Sequence, residues 1–101
     1  MISSVCFLPN TPTLIGNLGI RNDKTISALR SLGDQIRDNI DAVVIMSPHF
    51  YTSGSFGIVS GQKLKQIYDF YGFPQEFYSV KYEPPGDPDL AKEIINLLLL
   101  P

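Results

Sequence analysis

The stretch DAVVIMSPHF, Asp41 to Phe50, decides how this sequence is read. Asp41 to Met46 is a nearly unbroken apolar run rich in β-branched residues, the composition of a strand covered on both faces, as in an α/β sheet. It stops at Ser47-Pro48, and the only histidine of the chain, His49, follows. Upstream, Ile26, Leu29, Leu32 or Gly33, Ile36 and Ile40 recur at helical spacing, with Arg30, Asp34 and Arg37 between them. Asn22 or Asp23 suits the N-cap of that helix. Further upstream, SSVCFL (Ser3 to Leu8) predicts a short strand, and PNTPTLIGN is a loop punctuated by Pro9 and Pro12. The order is therefore strand, helix, strand. A right-handed crossover sets the two strands parallel. Their carboxyl ends, at Pro9-Asn10 and Pro48-His49, then share one sheet edge, where open α/β sheets bind ligands.

Beyond Phe50 the pattern is less regular. SFGIVS (Ser55 to Ser60) has the composition of a further strand. The aromatic-rich LKQIYDFYGFPQEFYSVKY predicts a turn at Gly72 to Pro74 and a strand near Phe77 to Tyr82. In EPPGDPDLAKEIINLLLL the helix start is explicit: Asp87 at the N-cap, Pro88 at the first helical position and Asp89 near the positive end of the helix. Leu90, Ile94 and Leu97 or Leu98 are expected to form its buried face. No repeat, linker or second domain is visible, so residues 1–101 read as a single domain.

Composition excludes several classes of function. With 101 residues, the chain can bury roughly 60–70% of its unfolded surface. Its 44% apolar and 18% charged residues are those of an ordinary globular protein. A net charge of −2 offers no basic footprint for nucleic acid or for an anionic membrane. The apolar run IINLLLLP is far shorter than the ~20 residues that span a bilayer. A single cysteine, Cys6, cannot close an intrachain disulfide, and the N-terminus lacks the features of a signal peptide. A soluble, cytoplasmic protein is expected.

The candidate chemistry is sparse. Alone, His49 reads either as a hydrogen-bonded loop residue or as a metal ligand or general base. A structural zinc site wants four Cys or His ligands, and only Cys6 and His49 exist. Asn10, Thr11 and Asp41 can offer oxygen to a hard cation or can simply form turns. Tyr68, Phe70, Tyr71 and Phe73 can stack a planar ligand or fill a core. There is no Gly-rich phosphate loop, GxSxG elbow or paired-carboxylate motif. The residues by themselves lead to a small α/β domain and no further.

The ordered set PNTPTLI, VVIMSPHF, IYDFYGFPQEFYSVKY and PPGDPDLA goes further. It resembles the N-terminal part of the class III extradiol ring-cleavage dioxygenases, the LigB type, and especially the branch that includes DOPA dioxygenases. In that branch a strand ending in Ser-Ala/Pro-His-Trp/Phe precedes a D-F-Y-G-F-P segment and a Y-x-x-P-G-D-P-x-L-A segment. The resemblance implies an α/β/α sandwich fragment with a partly parallel or mixed central sheet. It also implies O₂-dependent opening of a catechol-type aromatic ring at a non-haem metal, Fe(II) or, in some members, zinc. Two histidines and a third side chain hold the metal on one face, leaving the other open to substrate and O₂. His49 matches one metal-binding histidine. Asn10 stands at the position of a second ligand histidine that is missing here, and the remaining ligand belongs to a C-terminal part that these residues do not include. Three readings follow: a truncated relative that does not catalyse alone, a subunit of a split enzyme completed by another chain, or a non-catalytic interaction module. A homo-oligomer, as a dimer, is expected, because an unpaired sheet edge and the final leucine run both invite a partner.

Overall fold

A computed structural model describes residues 1–15 and 23–99 of the chain. These hold two α-helices, Asp23–Ile36 (α1) and Pro88–Leu98 (α2), and 3-10 turns at Pro12–Leu14, Arg37–Asn39 and Gln75–Ser79. Among the described residues no strand forms, and one isolated antiparallel bridge joins Lys63 to Pro85. The chain divides into two compact units, Met1–Ile45 with Phe70–Ser79, and Met46–Asp69 with Val80–Pro101. No helix among the described residues is long and apolar enough to cross a membrane.

In the first unit, α1 turns inward the stripe its spacing predicts as far as Ile36, whereas Ile40 lies beyond the helix in extended backbone. Ile26, Leu29, Leu32, Gly33 and Ile36 are half-buried, while Lys24, Arg30 and Asp34 are exposed. Of the two N-cap candidates, Asp23 is the first residue of the helix and Asn22 lies outside the described residues. An exposed ion pair between Asp34 and Arg37, three residues apart, spans the end of the helix as it tightens into the turn Arg37–Asn39. The loop after Leu8 holds a single 3-10 turn, in which the Leu14 N–H donates to the Thr11 carbonyl at 3.1 Å. Pro12 opens that turn at a position whose N–H would be unpaired anyway.

The core of this unit is aromatic. Gly72 adopts a positive φ of 81°, a conformation open to glycine at little cost, and so folds Phe73 back on Phe70. The two rings meet edge to face with centroids 5.4 Å apart. The Pro74 carbonyl then accepts from the Phe77 N–H at 3.0 Å. This starts the 3-10 turn Gln75–Ser79 and drops Phe77 into the interior, where it is 3% exposed and 5.1 Å from Phe73. The Tyr78 ring lies 5.0 Å from Phe70, whose carbonyl accepts from the Tyr78 hydroxyl. The strand expected near Phe77–Tyr82 is thus corrected in its first part. Local backbone bonding from Pro74 outweighs the strand preference of Phe and Tyr.

In the second unit, the stretches around residues 61–66 and 80–86 run side by side. The Gly86 N–H donates to the Gln62 carbonyl at 2.9 Å. Gly86 permits the approach, because a Cβ there would stand 2.0 Å from the Gly61 carbonyl oxygen. The Gln66 side chain replaces a missing rung: its Nε2 donates to the Val80 carbonyl at 2.9 Å, and its Oε1 accepts from the Tyr82 N–H at 2.8 Å. Helix α2 starts as its sequence predicts, with Asp87 Oδ1 accepting from the Leu90 N–H at 3.0 Å and Pro88 in the first turn. Its inner face is Leu90, Ala91, Ile94 and Ile95. Leu97 and Leu98, expected on that face, are exposed.

Ser3–Leu8 and Asp41–Met46 carry no ladder among the described residues, and their apolar side chains are exposed, from 60% at Val44 to 96% at Met46 in the second stretch. A strand exists through bonds to a neighbour. Bare segments therefore leave the α/β sandwich as an expectation.

Candidate functional site

His49 is placed by a turn that its neighbours dictate. The Phe50 N–H donates to the Ser47 carbonyl at 3.1 Å, so Pro48 and His49 are the two central residues of a β-turn. Proline pre-sets the backbone of the first central position, and serine favours the position before it. The Ser47 hydroxyl accepts from the His49 N–H at 3.1 Å, which ties the histidine backbone to the turn. No non-glycine residue among those described has a positive φ, so the turn is not of type II, which needs one at the second central position.

The imidazole meets a carboxylate: His49 Nδ1 lies 2.5 Å from Asp69 Oδ2. Asp69 is held in turn by its own neighbours. The Tyr68 hydroxyl donates to the Val80 carbonyl at 2.5 Å, and Gln66 grips Val80 and Tyr82 as described. The pair is half exposed, 51% at His49 and 40% at Asp69. At that exposure it contributes about 0–1 kcal/mol to stability.

The other sequence candidates fall elsewhere. Asn10 and Asp41 are exposed. The Thr11 hydroxyl lies 3.2 Å from that of Thr13. Cys6 is an exposed free thiol. Phe70 and Phe73 are packing residues of the aromatic cluster, Tyr68 bonds to Val80, and Tyr71 points to solvent. Among the described residues no three His, Cys, Asp or Glu side chains gather to hold a metal ion. His49 thus offers a metal one nitrogen, and no set of ligands forms around it among the described residues. The residue that sequence reasoning missed is Asp69. It sits inside the quoted DFYGFP segment, and the only signal was a lone carboxylate in a run of aromatics.

Residues 7–100 match the family described as the catalytic LigB subunit of aromatic ring-opening dioxygenase. The chain belongs to the LigB family. Among its relatives, the 4,5-DOPA dioxygenase extradiol of Escherichia coli (strain K12) is 40% identical over 57 residues, which are 56% of this chain and 21% of that protein. The protein of the same name from Beta vulgaris is 41% identical over 58 residues, with the same two shares. The dioxygenase tasH of Hapsidospora irregularis is 35% identical over 86 residues, 84% of this chain and 24% of that protein. This LigB chain therefore spans about a fifth to a quarter of the length of the curated relatives it matches. No solved structure matches it.

Proposed function

We propose that the chain is an extradiol ring-cleavage dioxygenase-like protein and that these 101 residues do not catalyse by themselves. The family activity is O₂-dependent opening of a catechol-type ring at a non-haem metal, Fe(II) or zinc. The observation that carries the reading is the family match over residues 7–100, with His49 presented by a hydrogen-bonded turn directly after the apolar run. On this reading His49 is one metal ligand, and Asn10 marks the place of a second that is missing. One imidazole does not fit a complete metal centre, which is why activity is assigned to the family and withheld from the isolated residues. The architecture proposed with it is a single α/β/α sandwich fragment with a mixed or partly parallel sheet, in a cytoplasmic protein.

A second reading is favoured by the bare apolar stretches Val43–Met46 and Leu97–Leu99. In it, another chain or another copy covers these surfaces and completes the site, as in a split enzyme or a homodimer, or the chain is an oligomeric interaction module without catalysis. An anaerobic Fe(II) titration by calorimetry separates the readings. The chain alone is expected to show no one-to-one binding in the micromolar range. Micromolar binding that disappears in His49→Ala would instead mean that the ligand set is completed by an assembly of copies, and catechol cleavage would then be expected from that assembly.

A further inference from the structure

We propose that Asp69 is a positioning residue for His49, fixing which of the two imidazole nitrogens carries the proton. A carboxylate only accepts hydrogen bonds, so the 2.5 Å approach of Asp69 Oδ2 to His49 Nδ1 requires the hydrogen on Nδ1. In the neutral ring the lone pair then falls to Nε2. Free histidine in water prefers the opposite tautomer, so Asp69 reverses the default.

Both ends of the pair are fixed by independent devices. On one side, the Ser47–Phe50 turn and the Ser47 hydroxyl hold the His49 backbone. On the other, the Tyr68 hydroxyl and the Gln66 amide tie the segment just before Asp69 to Val80 and Tyr82. A group held in this way presents its free nitrogen in one direction, which is what a ligand or base needs from the residue behind it. A stability role accounts poorly for the pair, because both partners are about half exposed and such pairs add little. What the contact does control is the placement of one proton.

This assignment adds to the reading of His49 as a site residue, and its test needs no metal. The chain has a single histidine, so a long-range ¹H–¹⁵N correlation spectrum of the ¹⁵N-labelled, metal-free chain at alkaline pH shows one imidazole. The Nδ1–H tautomer is expected to dominate. Asp69→Leu is expected to reverse the dominant form to Nε2–H while backbone amide signals away from residues 47–50 and 66–70 stay in place. Asp69→Glu, which keeps an accepting carboxylate, is expected to retain Nδ1–H. A dominant Nε2–H form in the wild-type chain overturns the proposal, as does an unchanged tautomer in a folded Asp69→Leu. Should Asp69→Leu unfold, the wild-type and Asp69→Glu spectra decide, and Nε2–H in either overturns it. Failure here leaves the calorimetric test of metal binding unaffected, so the two ideas can fail separately.

Discussion

His49 and Phe77 are aromatic rings placed by the chain for opposite ends. Phe77 is sealed among Phe73 and its neighbours, so Phe77→Ala is expected to cost about 3–5 kcal/mol, as for other buried phenylalanines. His49 is half exposed and bonded to one carboxylate, so His49→Ala is expected to change stability by less than about 1 kcal/mol. Urea unfolding of the two variants beside the wild type reads the contrast directly. A large loss for His49→Ala would make the ring a packing element. The sequence marked His49 because it follows a strand-like apolar run and a Ser-Pro pair. It did not mark Asp69, which lies twenty residues further on. Nothing local to YDFYGF says that this carboxylate turns toward an imidazole, because the pairing depends on the chain path between them.

At the scale of elements, what could be read was what is chemically local. The start of α2 was legible because Asp87, Pro88 and Asp89 carry their own capping chemistry, and the observed bond from the Leu90 N–H to Asp87 is the one that chemistry requires. Asp87→Ala is accordingly expected to destabilise the second unit by about 1 kcal/mol, seen as a lower urea midpoint with an unchanged slope. The half-buried stripe of α1 was legible for a similar reason, since a helical period needs no outside partner to be recognised. The inner face of α2 was legible only in part. Leu90 and Ile94 turn inward as expected, but the most buried residue is Ala91, and the leucines after Ile95 lie outside. The turn Gln75–Ser79 was missed because aromatic composition suggests a strand, whereas Gly72 and Pro74 impose a tight local path. Just before the start of α2, Gly86 is a glycine that a neighbouring carbonyl leaves no room to replace.

At the scale of the whole molecule, the largest unanswered demand is apolar surface. Val43, Val44, Ile45 and Met46 stand in solvent in a stretch whose composition suits a strand covered on both faces. Such a run is expected to find a partner, and a second copy of the chain is the partner proposed. Sedimentation at micromolar concentration is expected to show a dimer for the wild type and a monomer for Val44→Lys. A monomeric wild type would remove the oligomer from the proposal. The parallel pairing expected of Ser3–Leu8 and Asp41–Met46 stays an expectation, because a strand acquires its meaning from its neighbour. Family membership was legible, because it resides in the order of several short motifs along the chain.

The bridge made by Gln66 has a consequence for how the chain can vary. Where peptide groups pair with peptide groups, almost any side chain can be exchanged without losing a bond. Here an amide side chain supplies both the donor for Val80 and the acceptor for Tyr82, so the join depends on the identity of one residue. Even deamidation to glutamate, which changes a single atom type, would remove the donor. Position 66 is therefore one where a change of side chain is expected to loosen the join to Val80 and Tyr82, whatever its effect elsewhere.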